Sequence, residues 1–174
     1  MIIERRKLPD RVVQFIKDRK LKMGSALDAA CGSCATGPKG GGGGKYLRVL
    51  HEHFPKMRLF GCDLDSDEPV VFYGVEYKKC DFREKLPYEE KSIDMVLVTE
   101  MLDLFDEPTT KQILKHAERV AKKCVLVVAF AGETPEQHFP DKKFTRVDLP
   151  DYKDVWPGST APAEKYPVIT LIEL

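Results

Sequence analysis

Two runs fix the kind of fold this chain can adopt: "SIDMVLVTE" at residues 92–100 and "CVLVVAF" at residues 124–130. Each is short, β-branched and almost wholly apolar, the pattern of a strand buried on both faces. Between them, "PTTKQILKHAERVAKK" has helical periodicity, with Pro108 near its first turn and lysines at its close, where they suit the negative end of a helix dipole. Strand, helix and second buried strand make a parallel crossover unit, and such units place helices over both faces of a sheet.

The rest of the chain extends the alternation. "DRVVQFIKDRK" places Val12, Val13 and Ile16 on one helical face, with Asp10 as an N-cap after Pro9. "SALDAAC" is a short strand, "KYLRVLHEHF" a helix with Tyr46, Leu47 and Leu50 on one face, and "MRLFGCD" a strand ending in an acid. "VEYKKCD" is a more polar strand, suited to a place near the sheet edge. "KFTRVDL" and "YPVITLIEL" are two further strands with no clear helix between them, which predicts an antiparallel ending. The expectation is a single domain over residues 1–174: a three-layer α/β/α sandwich with a mostly parallel seven-stranded sheet and an antiparallel C-terminal strand. An N-terminal helix falls within residues 1–23 and a glycine-rich loop covers residues 35–44.

Lys plus Arg and Asp plus Glu both number 28, which argues against a generic polyanion binder and leaves a local basic patch open. No apolar run approaches the roughly 18 residues of a membrane span, and "MIIERRKLPD" is too charged for a secretory signal. Five cysteines, odd in number and scattered through apolar runs, fit reduced thiols in a cytoplasmic protein.

The densest signal is "SALDAACGSCATGPKGGGGGKYL", residues 25–47. A phosphate loop of the form G-x-x-x-x-G-K-[ST] needs a glycine where Lys39 stands and a hydroxyl where Tyr46 stands. A dinucleotide fingerprint aligned on Gly32 finds Ala30 and Ala35 at its other glycine positions, although Asp63 is a suitable acid for a ribose. A redox pair of Cys31 and Cys34 lies far from the helix start near Lys45 that would activate it, and no second close pair completes a zinc site. Cys31, Cys62 and Cys80 all fall at the carboxyl ends of expected parallel strands, and the plain reading is of small apolar residues filling tight strand ends.

The order "LDAACGS…FGCDLD…CDFREKLPYEEKSIDMVLVTEML…CVLVVAF" resembles a class I S-adenosylmethionine-dependent methyltransferase over roughly residues 24–130. The resemblance implies S-adenosylmethionine as cofactor and a binding turn at Asp28, Ala30, Gly32 and Cys34. It places Asp63 on the ribose hydroxyls with Leu64 beside it, and Asp81 toward the adenine amino group with Phe82 by the ring. It sets Thr99 and Glu100 at the methyl-donor end. Ala30 and Cys34 replace two of the family's glycines, which restricts the backbone there and adds side-chain atoms beside a ligand. The run "ATGPKGGGGG" lengthens the path to the first crossover helix.

Independently of the family, ligands of open parallel sheets bind beyond the carboxyl ends of the strands, and Asp28, Asp63, Asp81 and Glu100 each lie at or near such an end. Carboxylates accept both hydroxyls of a diol and suit a cationic sulfur. Glu100 and Asp103 are placed to orient or deprotonate an acceptor. "TEML" is not the D/N-P-P-Y/F turn of adenine-amine methylating families and holds no cysteine, so a small-molecule or protein acceptor is favoured over nucleic acid. His51, His53 and His116 read as solvated helix residues, His138 as a loop residue within reach of an acceptor, and Trp156 as a core anchor. Two rival readings are a catalytically inactive cofactor-binding scaffold with the same fold and a nicotinamide-dinucleotide-binding protein.

Overall fold

A computed structural model describes residues 7–31, 44–64, 71–72, 74–130, 132, 135–149 and 166–174. Within these residues eight strands form one sheet: β1 (Ser25–Asp28), β2 (Arg58–Asp63), β3 (Val71–Phe72), β4 (Val75–Lys79), β5 (Ile93–Thr99), β6 (Ala121–Phe130), β7 (Lys143–Asp148) and β8 (Pro167–Glu173), in the order β3-β4-β2-β1-β5-β6-β8-β7. Strands β4, β2, β1, β5 and β6 are parallel to one another. Strand β8 runs antiparallel to both neighbours, the antiparallel ending expected from the sequence. The two-residue β3 adds an antiparallel edge to the expected seven strands.

Among the described residues, three α-helices cover the sheet: α1 (Lys7–Asp18), α2 (Lys45–His53) and α3 (Glu107–Val120). The doubly buried strands divide their side chains between two cores by the period of two. Met95, Leu97, Leu126 and Val128 pack on the side of Val12, Val13, Ile16, Leu47 and Leu50 from α1 and α2. Val96, Val98, Val125 and Val127 pack on the other side with Ile113, Leu114 and Ala117 of α3. The three-layer sandwich follows from that alternation.

Three local expectations are corrected. Asp10 lies inside the first turn of α1, since the helix already includes Lys7, and there it complements the positive helix end without capping it. Helix α3 is capped by Asp106, whose carboxylate accepts from the Thr109 amide at 3.0 Å. It ends at Val120, and Ala121 turns straight into extended backbone, so Lys122 and Lys123 belong to β6. His116 is half-buried, with its Nε2 buried and without a hydrogen-bond partner, and burial first and then Arg119 lower its pKa.

Candidate active site

The sheet topology brings the carboxyl ends of β4, β2, β1 and β5 side by side. Asp28 ends β1 at the centre of this edge and is 1 % exposed. The Thr99 hydroxyl, at the end of neighbouring β5, donates to it at 3.2 Å, and the Ala30 amide donates as well. Burial outweighs these bonds and the nearby Lys45 charge, and pushes the Asp28 carboxyl up to about 7.

Backbone bonds pin the turn leaving β1. The Ala29 amide donates to Leu97, the Cys31 amide to Cys62 at 3.2 Å, and the Gly44 amide to the Cys31 carbonyl at 2.5 Å. Cys31 and Gly44 therefore meet beyond the end of β1. Gly44 adopts φ 68° on the way into α2, a conformation that favours glycine.

The next residue, Lys45, reaches the residue leaving β5. Its Nζ lies 2.6 Å from Glu100 Oε1 and 2.8 Å from Oε2, and the Tyr46 hydroxyl donates to Oε1. Glu100 holds φ 52°, unfavourable for a side chain with a Cβ, and its amide donates to Val128 at 2.8 Å. Asp28, Thr99, Glu100, Lys45 and Tyr46 thus form one connected polar group on the first turn of α2 and the ends of β1 and β5.

The other sequence-derived candidates stand along the same edge. Asp63 ends β2 half-buried, its carbonyl accepts from the Cys80 amide, and Leu64 after it is 39 % exposed. Asp81 follows β4, and its two oxygens accept from the Arg83 guanidinium at 2.6 to 3.1 Å and from the Arg83 amide at 2.9 Å. That guanidinium holds the Asp81 carboxyl below its usual range. Phe82 is buried edge-on against Phe105, with centroids 5.8 Å apart. Asp103 is exposed in the short 3-10 turn Leu102–Leu104. His138 is half-buried in a second such turn, Pro135–His138.

Cys31, Cys62 and Cys80 do converge. Cys62 is fully buried and hydrogen-bonded to Cys80, which with burial drives its pKa up. Among the described residues no cluster could hold a metal ion. Gly32, Cys34, most of the glycine run and Trp156 lie outside the described residues.

The sequence did not reveal Lys45 and Tyr46 as site residues. Tyr46 carried only the signal of an apolar helix face, and it is indeed 2 % exposed. Lys45 carried only its place directly after the glycines. Their shared target sits 54 and 55 residues away, a pairing that local pattern does not encode.

A family model described as "Methyltransferase domain" matches residues 39–129, just over half the chain. The match includes Asp63, Leu64, Asp81, Phe82, Thr99, Glu100 and Asp103, and it begins after Asp28, Ala30, Gly32 and Cys34. No curated protein matches in sequence. The fold is similar to geranyl diphosphate C-methyltransferase from Streptomyces coelicolor A3(2), solved with Mg²⁺, geranyl diphosphate and S-adenosyl-L-homocysteine, at 13% identity and TM-score 0.64 over 94% of this chain and 77% of that one. A protein from Pyrococcus horikoshii OT3 gives 15% identity and TM-score 0.62 over 98% and 91% of the two chains. A SAM-dependent methyltransferase from Aquifex aeolicus gives 18% identity and TM-score 0.55 over 95% and 88%. With the strand order, the carboxylate-lined edge and the family match in agreement, the chain belongs to the class I methyltransferases, whose cofactor is S-adenosylmethionine.

Proposed function

We propose that this chain transfers a methyl group from S-adenosylmethionine to a small-molecule or protein acceptor at the carboxyl edge of β1, β2, β4 and β5. The observation that carries the reading is the connected group of Asp28, Thr99, Lys45, Tyr46 and Glu100 at the centre of that edge, flanked by Asp63 and Asp81. The donor set fits the cofactor: carboxylates on adjacent strand ends suit a ribose diol, an exocyclic amine and a positive sulfur.

When bound, S-adenosylmethionine supplies a methyl carbon activated by that sulfur. Asp63, with Leu64 beside it, would hold the ribose. Asp81 and Phe82 would take the adenine. The turn through Asp28, Ala30, Gly32 and Cys34 would face the methionine portion, and Thr99 the methyl end. Glu100 and Asp103 would meet the acceptor. Because Lys45 and Tyr46 already occupy the Glu100 oxygens, orientation of the acceptor suits Glu100 better than proton removal. A cytoplasmic setting agrees with the free thiols of Cys62, Cys80 and Cys124. No helix among the described residues is long and apolar enough to cross a membrane.

The same commitment of Glu100 favours one second reading, a protein that binds the cofactor without turning it over. Thermal melting with S-adenosylmethionine, S-adenosylhomocysteine and NADH tests the site. Stabilisation by the first two alone is expected, and no response to either overturns it. Incorporation of labelled methyl into small-molecule or protein extracts then separates the enzyme from the binder.

A further inference from the structure

Charge in this chain is balanced in number but not in space. The layer formed by α1, α2 and the turns leading from them into β1 and β2, residues 7–24 and 44–58, holds ten Lys and Arg against three Asp and Glu. The whole chain is neutral. Lys17, Arg19, Lys20, Lys22, Lys56 and Arg58 are all exposed.

Four of them, Lys17, Lys20, Lys22 and Lys56, stand on the ends of α1 and α2 and the turns that follow, while Arg19 donates to Thr145 of β7 at 3.3 Å and the Arg58 guanidinium lies over Phe60 on the α3 side of the sheet. Ser25 and Arg58 are paired in register, and the Arg58 amide donates to Gly24, so the two turns enter the sheet side by side at the amino ends of β1 and β2. The Lys17 ammonium lies 3.2 Å from His53 Nδ1 and 6.0 Å from the Phe54 ring centre, which joins the ends of the two helices. Two acids stand close by: Asp18, which accepts from Gln14 at 2.6 Å, and Asp94, which accepts from the Gly24 amide at 2.7 Å and is balanced by the Lys123 ammonium at 2.9 Å.

We infer that this rim is a docking surface for a nucleic acid, held through its phosphates without base readout. Clustered cations neutralise phosphates and release counterions, the main source of sequence-independent affinity. A membrane surface fits less well, because interfacial helices add apolar side chains that enter the lipid. The exposed large hydrophobic residues among those described are Leu64, Leu104 and Phe144, none of them in this layer. The Phe15 and Phe60 rings lie under Arg19 and Arg58, each 5.3 Å from the guanidinium carbon. The rim stands at the opposite strand ends from Asp63 and Thr99, so an occupant would leave the candidate active site open. The inference does not depend on methyl transfer.

Fluorescence anisotropy with a labelled RNA of about 20 nucleotides, titrated between about 50 and 200 mM salt, provides the test. The wild-type chain is expected to bind at the low-salt end, with affinity falling steeply as salt rises. Lys20→Glu, Lys22→Glu and Lys56→Glu combined are expected to weaken binding by at least about tenfold and to flatten the salt slope by about 2, while the melting temperature stays near wild type. Lys111→Glu with Lys115→Glu on α3 serves as the control and is expected to bind like wild type. Absence of RNA binding at low salt overturns the inference. So does equal loss in the control, wild-type binding by the triple variant, or binding to phosphatidylserine vesicles or polyglutamate without binding to RNA.

Discussion

Lys45 and Glu100, 55 residues apart in the chain, close an ion pair of 2.6 Å that ties the first turn of α2 to the end of β5. The pair is sheltered, with side-chain exposures of 25% and 13%, and the Tyr46 hydroxyl completes it. Glu100 pays for this placement in its backbone. A φ of 52° brings Cβ toward the carbonyl, a cost of about 1 kcal/mol for any residue but glycine.

That strain gives a clean prediction. Replacing Glu100 by Ala or Gly removes the same carboxylate, and at ordinary positions the Ala variant is the more stable. Here Glu100→Gly is expected to exceed Glu100→Ala by about 1 kcal/mol, because glycine adopts the left-handed backbone freely. Urea unfolding of both variants checks it, and the usual order would remove the strain from the account.

Asp28 makes a prediction about pH. Its carboxyl titrates near 7 in the fold, where burial penalises the charge, against about 4 in an unfolded chain. Between those values the native state holds an extra proton, so this group's contribution to stability falls as pH rises through that window and is level above it. Asp28→Asn keeps an oxygen for Thr99 and Ala30 and does not titrate. It is expected to be near wild type at or below about pH 4 and a few kcal/mol more stable at pH 8. A stability difference that stays constant with pH defeats the idea.

How far the sequence disclosed the fold can be judged from β5. Met95 and Leu97 pack under α1 and α2, and Val96 and Val98 under α3, which is what an unbroken apolar run in a parallel sheet requires. Strand existence and order were legible because burial on both faces leaves a compositional mark. Asp28 and Asp63 were legible for a related reason, since an acid at the close of an apolar run marks a strand's end, whereas Asp81 follows the more polar "VEYKKC" and was picked out by the resemblance. The Lys45–Glu100 pair was not, since lysine and glutamate are common at any surface and only the crossover joins these two. Strand β3 was missed because two residues are too few to show a period. His116 was misjudged because lysine neighbours on a helix say nothing of what packs across from it.

Gly61 in β2 marks a close approach of three elements. A Cβ there would stand 2.6 Å from Tyr77 Cδ1 and 2.9 Å from Leu47 Cδ1, one on β4 and one on α2. Both rings and chains are buried and have little room to give. Gly61→Ala is therefore expected to destabilise by about 1–3 kcal/mol. Gly24→Ala meets only Asp94 Oδ2 at 3.4 Å, an ordinary contact, and is expected to cost under about 0.5 kcal/mol. Chemical denaturation of the two variants side by side checks the contrast, and equal effects would contradict the packing described.

Asp81 and Arg83 test the adenine end of the proposed site. Arg83 occupies both carboxylate oxygens: Oδ1 takes its amide and Nε, while Oδ2, bound chiefly by the terminal guanidinium nitrogen, keeps a lone pair with which to accept from an amine. Arg83 is then a positioning residue that fixes the direction of Asp81, assisted by its own amide at 2.9 Å. Asp81→Asn replaces one acceptor oxygen by a donor amide and is expected to weaken S-adenosylhomocysteine by about tenfold, or 1.4 kcal/mol. Arg83→Ala leaves the amide bond in place and is expected to cost only about twofold to threefold, since an exposed guanidinium contributes little. The sharper readout is base selectivity by calorimetry. S-inosylhomocysteine presents a carbonyl where adenine has its amine, so wild type should reject it and Asp81→Asn should narrow the gap. Unchanged selectivity in Asp81→Asn would take the adenine away from Asp81.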